Sequence, residues 1–223
     1  ENRLINALQI GRASDQARLA SVLVQENCRH LSAVALPGAM NVQPLADGSQ
    51  LRSLFGYLSN GVQGDSVISW IGACAISNEH MVDGEDLLAG ETIAGDRMVH
   101  FVIERFGHSL AAAVALQRLF ASMLMDLFRE HVADPETAEM FHREGDDIFF
   151  GPGKMSISIA TVSPVSALIH FAVNVTNEGT PVKTAALRDI DFPPEDFARA
   201  AMKRLADEVA SIDEAVVKVR WVK

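Results

Sequence analysis

The chain has 223 residues, 48% of them hydrophobic, a mean hydropathy of +0.13 and a formal net charge of −10. That is enough apolar material for one sizeable core. The scattered lysines and arginines give no electrostatic footprint for nucleic acid, and no apolar run reads as a bilayer span.

Ser14 is placed to cap a helix running to about Cys28. The apolar run Leu31–Leu36 follows as a first strand, so residues 1–40 read as an N-terminal helical extension with that strand. Residues 41–223 read as a single α+β ligand-binding domain. The segments "LRSLFGYL" (51–58) and "DSVISWIGACAI" (65–76) read as strands set off by Asn60-Gly61 and Gly64. An acidic loop, "NEHMVDGEDLLAGETIAGD" (78–96), leads into the strand "RMVHFVIERF". Its lack of an apolar face suits a mobile border of a cavity.

Apolar residues at three- and four-residue spacing predict a helix from Ser109 to His131, stopped by Asp134-Pro135. Strands follow at about 139–143, 147–150, 154–163 and 167–175. A helix from Pro194 to Ser211 and a final strand, "AVVKVRWV", complete the pattern. Strands in runs argue for α+β with a mainly antiparallel sheet and flanking helices.

Alternation along 154–160 sets Met155, Ile157 and Ile159 against Lys154, Ser156, Ser158 and Ala160. Along 167–175 it sets Ile169, Phe171, Val173 and Val175 against His170, Ala172 and Asn174. Ser163-Pro164-Val165-Ser166 supplies a turn between them. If the apolar faces coincide, the opposite faces merge into a small-residue floor bearing Lys154, Ser156, Ser158, His170 and Asn174. His100 and Glu104 join from a neighbouring strand. Such a floor suits a small ligand, although a covered face with serines bonded to neighbours suits the pattern equally.

Other motifs fall away. "GPGK" lacks the upstream glycine and the following Ser or Thr of a phosphate loop. His80, Asp83, Glu85, Asp86, Asp96 and His100 lack metal-ligand spacing, so no metal site is assigned, and a solvated loop is the better reading. Asn174-Val175-Thr176 is a sequon by chance, and Cys28 and Cys74 read as ordinary buried thiols in a cytoplasmic protein.

The stretch "EGDDIFFGPGKMSISIA" (144–160) resembles the central motif of lipoate–protein ligases, with Asp147, Lys154 and Ser156 at the motif aspartate, lysine and serine. "LIHFAVNV" (168–175) is similar to the strand that biotin and lipoate ligases place after their lysine segment. From "DGSQLRS" through "GDSVISWIGAC", "DRMVHFVIERF", "KMSISIATVSPVS" and "EGTPV", the chain is similar to the family called domain of unknown function 366. The departures are Ile157 where the ligases have Gly, and no recognisable Arg-Arg-x-Ser-Gly-Gly-Gly loop before "MVHFVIE".

The resemblance implies the catalytic fold shared by biotin/lipoate ligases and class II synthetases. It implies Lys154 as the catalytic candidate, binding a carboxylate or phosphate. Asp147, Ser156, Ser158, His170, Asn174 and His100 are the ligand-binding candidates. The expected function is binding of a small anionic molecule or nucleotide, with acyl or nucleotidyl transfer the reaction class and ATP with magnesium the cofactor to consider. The alternative is a binding protein that kept the fold without the chemistry. A homo-oligomer is left open, and neither a nucleic-acid nor a membrane partner is expected.

Overall fold

The protein's structure is a computed structural model that describes residues 32–35 and 45–222. The helix expected from Ser14 to Cys28 lies outside the described residues. In chain order the strands are β1 (Ser32–Ala35), β2 (Ser66–Ile76), β3 (Ile93–Phe106), β4 (Phe141–Glu144), β5 (Asp147–Phe150), β6 (Gly153–Lys154), β7 (Ser156–Val162) and β8 (Ser166–Asn174). The helices are α1 (Phe55–Asn60), α2 (Gly84–Ala89), α3 (Leu110–His131), α4 (Pro135–Glu139) and α5 (Pro194–Lys218). Five strands form the main sheet in the order β1-β2-β3-β8-β7, and β4-β5-β6 form a small second sheet. Among the described strand pairs only β1–β2 is parallel. This is the expected α+β class with a mainly antiparallel sheet and flanking helices.

Cross-strand partners share a face, so the pairing sorts the sheet into two sides. Val67, Ile71, Val99, Phe101, Ile103, Ile169, Phe171 and Val173 lie on one side, under α3 and α5. There Phe120 of α3 meets Phe101 and Phe171 edge-on, with ring centroids 5.4 and 5.3 Å apart. Phe128 of α3 stacks on Phe197 of α5 at 5.2 Å. Each such buried ring contributes roughly 1.5–3 kcal/mol of transfer free energy. The other side carries Ile68, Trp70, Met98, Val102 and Ala172, covered by Ala46 and Phe55.

Helix α3 matches the periodicity. Ser109 caps it by accepting from the Ala112 N–H at 3.2 Å, and a buried stripe recurs at 113, 117, 120, 121, 124 and 128, with Met123, Met125 and Leu127 buried beside it. By length and composition α3 is apolar enough to cross a bilayer. Its buried side is the one packed on the sheet and on α5.

Three expectations are corrected. "LRSLFGYL" is not a strand: Leu54 takes a left-handed φ of 62°, its N–H donates to Glu104 Oε1 at 2.8 Å, and α1 runs from Phe55 until Gly61 ends it. The acidic loop contains a 3-10 turn (Asn78–His80) and α2, whose N-cap Asp83 accepts from the Glu85 N–H at 2.8 Å. The final strand is absent, because α5 continues to Lys218. Asp213 on the continuing helix binds Arg105 of β3 at 2.8 Å, and Asp65 meets the same guanidinium at 3.2 Å. That partly buried ion-pair network holds the extra turns of α5 to the sheet and leaves Val216 and Val217 exposed.

Segment 183–185 crosses β6 as a parallel neighbour. Lys154 N–H donates to Lys183 O and Ala185 N–H to Lys154 O, both at 3.1 Å. Only a glycine at 153 allows this approach, since a Cβ there would lie 2.8 Å from Thr184 C and Ala185 N. Gly153→Ala is therefore expected to lower stability by about 1–3 kcal/mol, the usual cost of overpacking. Gly84→Ala, facing open space at the start of α2, is the control and should hold or gain up to about 1 kcal/mol. Urea midpoints of the two variants make the comparison, and equal midpoints would refute the crossing contact.

Candidate ligand-binding cleft

The hairpin of β7 and β8 forms as the turn residues predict. Ser163 N–H donates to Ser166 O at 2.7 Å, and Ser163 Oγ accepts from the Ser166 and Val165 N–H groups at 3.0 and 3.2 Å. The faces, however, differ from expectation. Ser156 pairs with Val173, Ile157 with Ala172, Ser158 with Phe171 and Ile159 with His170. Ser156 and Ser158 therefore share the helix-covered side with Phe171, while Ile157 and Ile159 share the other side with His170. Pairing 163 with 166 across a two-residue turn makes every partner pair sum to an odd number. It cannot place Ile157 beside Ile169 or Phe171.

The two serines anchor the small sheet. Ser156 Oγ accepts from the Ile148 N–H at 2.9 Å. Ser158 Oγ donates to Asp146, and Gln117 of α3 donates to both Asp146 Oδ2 and Ser158 Oγ at 2.8 Å. Asn174 is also committed to backbone, its amide donating to Lys154 O at 3.0 Å and Ala185 O at 3.1 Å. Glu104 is buried and accepts from Leu54 N–H and from Ser166 Oγ at 2.7 Å.

Lys154 and Asp147 come together on the β5–β6 hairpin, with Nζ 2.7 Å from Oδ2 and each side chain about one-third exposed (31% and 32%). Burial raises the Asp147 pKa, outweighing the lowering by the Lys154 hydrogen bond and charge, and the nearby Asp146 and Glu144 charges add to the rise.

His100 and His170 also come together, on the other side of the sheet from the serines. His100 Nε2 lies 3.2 Å from Gly72 O, and its Nδ1 lies 3.1 Å from His170 Nε2. Trp70 stacks on His100 at 5.0 Å, while His100 and His170 lie edge to edge and nearly coplanar, with centroids 5.4 Å apart and planes 18° apart. Both imidazoles are buried. Desolvation pushes His170 down to about 4, and desolvation with the His170 charge pushes His100 down to about 3. Sequence reasoning found both histidines but not Trp70 between them and the core. The β2–β3 register, Trp70 opposite His100, was the missing signal.

His170 opens into a small cleft, open to solvent, with a cavity volume of about 60 Å³. Ile157 and Ile159 form its floor with His170, Ile76 and Ile93 its wall, and the former acidic loop its rim through His80, Met81, Val82, Asp83 and Asp86. Gly48 closes one end with a φ of +92°, against His80 where a Cβ would come within 2.6 Å of the histidine Cβ. Lys154 is not among the lining residues. It stands three residues before Ile157, about 10 Å along the chain at strand rise. Among the described residues no group of three His, Cys, Asp or Glu is placed to hold a metal ion. Cys74 is a buried free thiol, its pKa pushed up by burial to about 12, and Cys28 lies outside the described residues.

The sheet, its helices and the hairpin together define an α+β chain with the fold of biotin and lipoate protein ligases. Lipoate–protein ligase A bound with ATP superposes with a TM-score of 0.50 at 13% identity, over 80% of this chain and 84% of its own. Biotin protein ligase from Leishmania major reaches 0.51 at similarly low identity. The chain itself belongs to the family described as domain of unknown function (DUF366), which it matches over residues 39–220. A protein of unknown function from Pyrococcus horikoshi shares 35% identity and a TM-score of 0.79, over 86% of this chain and all of its own. An uncharacterised protein of Methanocaldococcus jannaschii is 27% identical over 178 residues, 77% of this chain and 78% of its own.

The two imidazoles make stability depend on pH with a definite sign. Both are neutral in the fold and titrate near 6.5 when unfolded, so between about pH 6.5 and 4 the unfolded chain binds more protons. Stability is full above pH 6.5 and falls as pH drops, at up to about 1.4 kcal/mol per pH unit for each histidine. Urea midpoints at pH 7, 6 and 5 should decline, and the decline should flatten in His100→Gln/His170→Gln. An unchanged slope in the double variant would mean the pair is not held neutral.

Proposed function

We propose that this protein binds a small molecule with an apolar body in the cleft and an anionic end near Lys154. The carrying observation is the cleft itself: an isoleucine-lined hollow on one sheet face with a single buried histidine in its floor. A concave, mostly apolar site with few polar groups is the usual form of a small-molecule site. The Asp83 and Asp86 carboxylates at its rim disfavour an anion inside the cleft, which leaves Lys154 as the cationic partner for a carboxylate or phosphate. Its exposed fraction makes it reachable, and the ion pair to Asp147 positions its ammonium group.

Acyl or nucleotidyl transfer is the reaction class this arrangement favours, in keeping with a fold whose solved examples are bound to ATP and to biotinyl-5-AMP. ATP with Mg²⁺ would meet Lys154 through phosphate and Asp147 through the metal, since Mg²⁺ sites need only one or two carboxylates besides phosphate oxygens. The partial exposure of both side chains fits that use. Lys154 would then offset charge developing on the transferred group. His170 and His100 shape the cleft, whereas Ser156, Ser158 and Asn174 act by holding β6 and β7 in place. The second reading is binding without chemistry. What favours it is that Lys154 is already charge-matched by Asp147.

Octanoate, lipoate, biotin and ATP–Mg²⁺ should be tested by thermal shift, since binding to the native state raises Tm by mass action. Pyrophosphate release from ATP–Mg²⁺ in the presence of the bound carboxylate separates transfer from binding alone. Lys154→Ala should weaken carboxylate binding by about 1.5–3 kcal/mol. It should alter folding stability by no more than about 1 kcal/mol, as expected for a solvent-screened pair. A large stability loss with carboxylate affinity intact would make Lys154 a structural residue.

A further inference from the structure

Resting on the cleft reading above, we infer that the cleft selects a neutral ligand group that donates a hydrogen bond, an amide N–H or a hydroxyl, to Nδ1 of His170. The chain of contacts dictates this polarity. The Gly72 carbonyl can only accept, so His100 carries its proton on Nε2 and donates at 3.2 Å. His100 Nδ1 is then a lone pair, and at 3.1 Å it accepts from His170 Nε2–H. His170, neutral and with its one proton on Nε2, is left with a bare Nδ1.

That nitrogen makes no hydrogen bond to any described residue. With Nε2 turned to His100, the other side of the ring, which carries Nδ1, is the side left for the cleft of Ile157, Ile159, Ile76 and Ile93 that His170 lines. The ring itself is 8% exposed. An acceptor in an apolar hollow is satisfied by a donor and left stranded by an ester or ketone oxygen, which costs affinity for such groups. A carboxylate meets the same lone pair with like polarity, and Asp83 and Asp86 stand at the rim with the same sign. Protonation of His170 would reverse the preference, but burial of the hydrogen-bonded pair opposes it. The titratable groups facing His170 are His100 behind it and His80, Asp83 and Asp86 across the cleft.

The test uses two uncharged rings that differ by one atom, caprolactam with an N–H and caprolactone with an oxygen there, bound to the intact protein at pH 7.5 and followed by ligand-observed NMR. Caprolactam should bind at least about 10-fold more tightly, the worth of one hydrogen bond at a buried acceptor. His170→Phe, which keeps a flat ring beside His100, should erase the difference, while Lys203→Ala, exposed on α5 away from the cleft, should preserve it. Equal affinities in the wild type would overturn the selectivity and leave the cleft reading standing. Binding of neither ring would overturn both. Should His170→Phe fail to fold, nitrogen-15 histidine spectra of the wild type decide independently: protons on Nε2 of both rings support the relay, and a proton on Nδ1 of His170 refutes it.

Discussion

The two-residue connection between β7 and β8 determines what each side of the sheet can do. Because Ser163 pairs with Ser166, every preceding residue on β7 has its side chosen, and a shift by one would exchange the two sets. With the observed pairing, two isoleucines join His170 over open space, and two serines turn beneath α3 toward the small sheet. The serines then satisfy groups that would otherwise be stranded there, the Ile148 N–H and the Gln117–Asp146 pair. The cleft and the β4–β6 sheet are thus two consequences of one register.

Much of the fold was legible. α3 carried a strong three- and four-residue period with a serine cap. β2, β3 and β8 were dense in β-branched and aromatic residues, and the turn announced itself through Ser-Pro-Val-Ser. The misses have separate causes. "LRSLFGYL" has apolar residues that suit either a strand or a short helix, and a long-range bond from Leu54 to Glu104 decided for the helix. "AVVKVRWV" has strand composition, but Arg105, more than a hundred residues earlier, draws Asp213 onto the sheet and the helix runs on.

The candidate site was legible in its parts and misassembled as a whole. Lys154 and Asp147 were found, as were His100 and His170, and each pair meets in space. The error lay in letting hydrophobicity assign the faces of β7. Ile157 and Ile159 look like core residues, yet they are only half-buried because they line a hollow. The turn contained the correction, since a two-residue connection and coincident apolar faces are arithmetically incompatible at these positions. Where turn chemistry and hydrophobic alternation conflict, a surface that is apolar without being core is one resolution, and binding sites are where it occurs.

The placement of α3 bears on how the chain is made. Phe120 is gripped by Phe101, which is synthesised before it, and by Phe171, which comes some fifty residues later. As the chain emerges from N- to C-terminus, this apolar helix can dock on β3 early but must wait for β7, β8 and α5 to be covered. During that interval the apolar stripe of α3 stands half-clad, and its remaining flank is open to chaperones and to its own neighbours.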